Sequence, residues 1–156
     1  MQKLKTNWEF VADTVMGGKS RGQIDNVGIQ GRNTTRLNGM VSLENNGGFI
    51  QMASDLQIQC SDVDADDWQG VELDVVGNDS TYDIRLRTVD LDRPWQSFRA
   101  SFHASARWQT IKIPFSSFEP HKTDKVLKPA NLRRLGIVAI GRVFFADVAV
   151  AEVRLY

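Results

Sequence analysis

"VELDVVGNDSTYDIRLRT", residues 71–88, decides the fold. In its first part Val71, Leu73 and Val75 alternate with Glu72 and Asp74; in its second, Tyr82, Ile84 and Leu86 alternate with Asp83, Arg85 and Arg87. A two-residue period sends successive side chains to opposite faces of an extended chain, so each part reads as a strand with one face in a core and the other in water. Gly77-Asn78-Asp79 between them supplies the backbone freedom of a turn.

The same pattern continues on both sides. SFRASFH (97–103) sets Phe98, Ala100 and Phe102 against Ser97, Arg99, Ser101 and His103, and TIKIPF (110–115) puts Ile111, Ile113 and Phe115 on one side. LGIVAI (135–140) is apolar on both faces, as a central strand is, and ADVAVAEVRLY (146–156) predicts a paired C-terminal strand with Ala149, Ala151, Val153 and Leu155 in one phase. Asn45-Asn46-Gly47-Gly48, Asp92-Arg93-Pro94 and Glu119-Pro120 mark further turns. Two-residue alternation recurs from about residue 35 to the C-terminus, no segment of about 12 or more residues keeps a helical apolar period, and about nine strands between turns predict an all-β sandwich or jelly roll. The stretch 121–134 is basic and loop-like, with room for a short helix.

A chain of 156 residues with 42% hydrophobic and 24% charged residues matches one ordinary globular domain, spanning 1–156. Lysine plus arginine equals aspartate plus glutamate at 19 each, so no net positive field gathers a nucleic acid, and a nucleic-acid partner is disfavoured. The single Cys60 rules out an internal disulfide and fits a reducing compartment. MQKLKTNWEF is followed by no apolar run of signal-peptide length, and no stretch of about 18 apolar residues occurs. The expectation is a cytoplasmic protein with no membrane insertion.

VMGGKSRG (15–22) overlays two catalytic half-motifs. A phosphate-binding loop, G-x-x-x-x-G-K-[ST], needs glycine where Asp13 stands, and a carboxylate there repels phosphate. A G-x-S-x-G nucleophile elbow around Ser20 needs a strand-to-helix turn in an α/β sheet, which this chain does not predict. A turn at Gly17-Gly18, where a side chain would clash, is the better reading. DVDADD (62–67) fails as a calcium loop because Asp67 and Leu73 stand where glycine and glutamate belong; it reads as a solvated acidic turn. One cysteine with two separated histidines, His103 and His121, predicts no zinc site, and no dinucleotide fingerprint is present, so no metal, cofactor or catalytic residue is expected.

Arg85, Arg87 and Arg99 fall on polar faces of neighbouring strands and would share one patch if those strands pair, with Trp95 nearby as a stacking platform. The competing and favoured reading is ordinary cross-sheet pairing of these arginines with Asp83, Glu72 and Asp74. Trp8, Trp68 and Trp108 stand at strand starts and read as packing residues.

WEFVADTVMGGKSRG, LENNGGFIQM, GNDSTYDIRLRT, RWQTIKIPFSSFEP and LRRLGIVAIG, in this order, resemble the complex I intermediate-associated protein 30 family. By that resemblance Trp8, Asp13, Val15, Met16, Gly17, Gly18 and Ser20 form the signature, with Gly47, Gly48 and Phe49 in a second block, while the usual Gly-Pro-Phe near the last strands is replaced by GRVFFADV. The resemblance implies a galactose-binding-like jelly roll and a non-catalytic domain acting in assembly or as a chaperone through a protein partner related to a respiratory complex. The alternative is a carbohydrate or small-polar-ligand module using Arg85, Arg87, Arg99 and Trp95. The jelly roll further predicts Gly17 and Gly18 in a turn packed near Trp8.

Overall fold

A computed structural model describes residues 1–56 and 68–156. Twelve strands appear among them, with no α-helix: β1 (Gln2–Lys3), β2 (Glu9–Ala12), β3 (Arg21–Ile29), β4 (Arg32–Val41), β5 (Phe49–Asp55), β6 (Gly70–Gly77), β7 (Ser80–Thr88), β8 (Ser97–Ala104), β9 (Gln109–Pro114), β10 (Glu119–His121), β11 (Leu132–Ile140) and β12 (Phe144–Leu155). They form two antiparallel six-stranded sheets. Sheet A runs β3-β4-β12-β6-β9, with β1 extending the pairing on β12; sheet B runs β10-β8-β7-β11-β5-β2. The sheets face each other as a jelly-roll sandwich.

The alternation read in residues 71–88 sets the core from both sides. Val71, Leu73 and Val75 of β6 and Tyr82, Ile84 and Leu86 of β7 are all buried, the first set from sheet A and the second from sheet B. Each such large apolar side chain contributes about 1.5–3 kcal/mol relative to exposure. Residues 135–140 lie in β11, flanked by β7 and β5, as a central strand should be. Tyr82 also ties the layers: its hydroxyl donates to Asn78 Oδ1 at 2.6 Å and accepts the Asp147 N–H of β12 at 2.8 Å.

Four expectations need correction. The strand count exceeds nine because β1, β2 and β10 are too short to display a period, and because the hairpin β3–β4 begins at Arg21, well before residue 35. The 121–134 stretch does hold a short helix, the 3-10 turn Pro129–Asn131, but it is not all loop: His121 closes β10 and Leu132 opens β11. The phase of the last strand is reversed in its first half: Ala146, Val148 and Val150 face the core, the register shifts between Val150 and Glu152, and Val153 and Leu155 then face it. A β-bulge inserts one residue and so switches the inward set.

The fourth correction concerns Glu72 and Asp74, which are only 4% and 6% exposed. They do not reach the arginines of β7 and β8, because β6 belongs to the other sheet. Instead Arg154 of β12 donates to Glu72 Oε2 at 2.6 Å and forks onto both oxygens of Asp74 at 2.6 and 2.9 Å. Arg32 adds a bond to Asp74 at 2.8 Å and Thr110 another at 2.8 Å. Chiefly through Arg154, and against the opposing effect of burial, Asp74 is held well below the usual carboxylate range.

Candidate functional site

The signature turn is built around one carboxylate. β2 ends at Ala12, Asp13–Met16 form a 3-10 turn, and Gly17 closes it in the left-handed region at φ 83°, where its N–H donates to the Thr14 carbonyl. Asp13 is 0% exposed. Its Oδ1 accepts the Ser20 N–H at 3.0 Å; its Oδ2 accepts the Ser20 hydroxyl at 2.6 Å, the Gly48 N–H at 2.6 Å and the Phe49 N–H at 3.3 Å. Burial alone would raise the carboxyl pKa, but the bonds from Ser20, Gly48 and Phe49 outweigh it, so the net shift is downward.

The glycines follow from the same group. A Cβ on Gly18 would stand 2.4 Å from Asp13 Cγ, and one on Gly47 2.4 Å from Asp13 Oδ2. Both are glycine because the carboxylate fills the space beside them. Gly17 and Gly18 thus sit in a turn as expected, whereas Trp8, just before β2, lines a cleft with Asn26, Val27 and Gly28 in the far half of β3.

This geometry disposes of both half-motifs by position. Lys19-Ser20 leads into strand β3, not a helix, so the turn lacks the N-terminus that helps hold a phosphate. Ser20 is 1% exposed, its proton is committed to Asp13 and its Oγ accepts the Ser42 N–H at 2.8 Å. A hydroxyl so engaged is not presented to a substrate.

Three loops meet at this end of the sandwich. Asn45 Nδ2 donates to the Gly17 carbonyl at 3.1 Å, Gly48 N–H to Asp13, and Gly141 N–H to the Gly48 carbonyl at 3.1 Å. They carry Val15, Met16, Leu43 and Val143, all exposed, and beside them Met40 and Phe145 face each other across β4 and β12, also exposed. These are six of the ten large apolar side chains exposed among the described residues. Sequence reasoning singled out Val15 and Met16 only as signature positions. The other four are scattered along the chain and come together only through the strand pairing.

On sheet B, strands β7 and β8 do pair, and Arg85 stands directly opposite Arg99. Arg85 donates to Asp83 Oδ2 at 3.3 Å. Arg87 does not join them as a free cation: its Nε and one terminal nitrogen donate to the carbonyls of Gln96 and Arg93, holding the loop that presents Trp95, which is 58% exposed. Burial first, then Arg133 and Arg134, lowers the pKa of Arg87. His121 of β10 is likewise shifted down, by burial and then by Arg99, Arg85 and Lys122, with Asp83 opposing.

Two clefts lie elsewhere. One, of about 360 Å³, is lined by Thr6, Trp8 and the β3–β4 hairpin; the other, of about 390 Å³, by Asp90, Asp124, Lys125, Val126 and Lys128. Trp68 packs against the core, and Trp108 lies under the Arg32 guanidinium at 4.8 Å. Cys60 and the acidic stretch 62–67 lie outside the described residues. Among the described residues no group of three potential metal ligands gathers, and no helix is long and apolar enough to cross a membrane.

The family model for complex I intermediate-associated protein 30 matches residues 1–147. The fold is similar to the family 11 carbohydrate-binding module from Clostridium thermocellum in complex with a β-1,3-1,4-mixed-linked tetrasaccharide, with TM-score 0.72 and 17% identity over 99% of this chain and 96% of that one. It is similar also to the family 30 module of the cellulosomal cellulase Cel9D-Cel44B of the same organism, with TM-score 0.61 and 15% identity over 99% and 92% of the two chains. An exo-beta-agarase matches with TM-score 0.60 and 11% identity over 96% of this chain and 23% of that one. At these identities the likeness is one of fold. No curated protein matches the chain in sequence.

Proposed function

We propose that this chain, which belongs to the complex I intermediate-associated protein 30 family, is a non-catalytic binding domain that acts in the assembly or stabilisation of a protein complex. The carrying observation is the loop end organised by Asp13, where Val15, Met16, Met40, Leu43, Val143 and Phe145 remain exposed together. Apolar side chains gathered at one end of a domain, with charged neighbours such as Lys19, Arg21 and Arg142, have the make-up of a protein docking surface. The family's description makes a component of a respiratory complex the partner class to test first. Affinity capture from the native cell with the wild type and with Met40→Asp plus Phe145→Asp tests the reading. A reproducible partner recovered only by the wild type is expected; an equal yield with the folded double variant removes the surface.

A second reading, a carbohydrate or small-polar-ligand module, is favoured by the pairing of Arg85 with Arg99 beside the Trp95 loop. Saturable calorimetric binding of a soluble oligosaccharide, lost in Trp95→Ala, supports it; binding unaffected by Trp95→Ala and by Arg85→Ala with Arg87→Ala removes this face.

A further inference from the structure

The face of sheet B around Arg85 holds more positive charge than it neutralises. Like charges directly opposite on an antiparallel pair repel, with side chains about 5 Å apart at Cβ, and Arg85 and Arg99 occupy such a pair. Among the described residues Arg99 makes no hydrogen bond or ion pair, although Glu119 stands opposite it on β10. Arg85 is shared with one carboxylate, Asp83. Farther along the same face, Arg87 is bonded to the carbonyls of Gln96 and Arg93, and Arg134 opposite it is paired with Glu9 and Asp55.

Two polar groups on the same face are buried and unpartnered. The Nε of Arg85 has no acceptor, and neither has the hydroxyl of Ser97, which pairs in register with His121 and is only 4% exposed. Ser97 and Arg99, two residues apart, share the polar face of β8, so Arg85 Nε–H and the Ser97 hydroxyl are donors without acceptors on one surface. Buried donors are almost always satisfied, by protein, solvent or ligand. What these donors and the two facing guanidiniums have in common is a demand for an acceptor carrying negative charge.

We propose that the Arg85–Arg99–Ser97 face binds an oxyanion, carried by a small ligand whose remaining part lies toward Trp95. This rests on the second reading, that the face is a ligand site, and narrows the ligand to one bearing a carboxylate, sulfate or phosphate group. The planar guanidinium fork matches two oxygens of such a group. Arg85 and Arg99 supply charge, Ser97 a hydroxyl donor, and Arg87 positions the loop of Trp95 through the carbonyls of Arg93 and Gln96.

The test is calorimetric titration of the full chain at low salt with three probes: a galacturonate tetrasaccharide, a neutral mixed-linked glucan tetrasaccharide and sodium sulfate. Binding of the galacturonate at least tenfold tighter than the neutral glucan, weakening as salt rises, is expected. Arg99→Gln and Ser97→Ala should each reduce its affinity by about fivefold or more while leaving the thermal midpoint unchanged or higher, since each removes an uncompensated group. Sulfate binding that depends on Arg99 and Ser97, without galacturonate binding, upholds the oxyanion site and names a bare anion as its source. Neutral glucan bound as tightly as galacturonate, with loss in Trp95→Ala but not in Arg99→Gln, overturns the oxyanion while sparing the ligand face. Failure of all three probes overturns both.

Discussion

Replacing Asp13 by asparagine keeps the shape of the buried side chain and removes its charge. The best amide orientation leaves its oxygen where Oδ2 was, facing Ser20 Oγ, Gly48 N–H and Phe49 N–H, and turns its NH2 toward the Ser20 N–H that Oδ1 had accepted. Hydrogen bonds to a charged acceptor are each worth about 1.5–3 kcal/mol against about 0.5–1.5 for neutral pairs, and a buried donor left facing another donor costs about 1–3 kcal/mol. Relief of the cost of burying a charge offsets part of this. The expected loss is about 2–4 kcal/mol for Asp13→Asn, out of about 5–15 kcal/mol for a typical domain. Asp13→Ala, which orphans three backbone N–H groups, should cost more.

Urea unfolding followed by tryptophan fluorescence reads this directly, with an unchanged slope against denaturant certifying that the folded and unfolded states are otherwise comparable. Gly47→Ala supplies the sharper control. Its φ of −75° suits any residue, so its cost comes from the methyl group meeting Asp13 Oδ2 and the nearby Glu44 carbonyl. In an Asp13→Ala background that cost should fall by at least about 1 kcal/mol, as expected for contacting residues. Asp13→Asn within about 0.5 kcal/mol of wild type, or a Gly47→Ala penalty indifferent to residue 13, would refute the claim that the carboxylate holds the two loops together.

Two further outcomes follow from the buried charges. Arg154→Leu strands the carboxylates of Glu72 and Asp74 under Lys112 and Arg32, and should lose about 3–5 kcal/mol in urea unfolding, whereas a triple exchange of Arg154, Glu72 and Asp74 for apolar residues should recover most of it. Asp13 and Asp74 both have lowered pKa values, so the stability they contribute is present above the ordinary carboxylate range near 4 and is lost as pH falls through their folded values. His121, also lowered, leaves the unfolded chain binding more protons just below its ordinary value of 6.5, so stability should begin to decline there as pH falls. Denaturant midpoints from pH 8 to 3 check both: His121→Gln should remove the first slope, and Asp13→Asn should flatten part of the second.

The strands were legible where one face of the chain meets one core. β7 displays its inward set without interruption, and Tyr82, Ile84 and Leu86 are buried as the alternation requires. β12 was not legible in the same way, because a bulge leaves no mark in a run of alanines and valines and yet reverses the phase on one side of it. Glu72 and Asp74 looked wet because charge normally marks a solvated face; the guanidinium that pairs with them arrives from Arg154, 82 and 80 residues further along. At the signature, the residue types identified the family but not the work of Asp13, since Gly48 lies 35 residues away. The arginine patch was legible only as a condition, that β7 and β8 pair, and the unpartnered hydroxyl of Ser97 gave no sequence signal at all.

By tying the turn after β2 to Ser20 and to Gly48, which in turn receives Gly141, the Asp13 carboxylate also fixes the surface that the proposed docking would use at that end. Val15, Met16, Leu43 and Val143 are presented on segments fixed before any encounter. On the proposed reading, association there forfeits little loop entropy and needs no folding step, so less of the contact's gross free energy is spent on ordering. If that surface docks a partner as proposed, loosening Asp13 should weaken docking without touching a single residue of the surface, and the loss should appear as an entropic penalty at unchanged buried area.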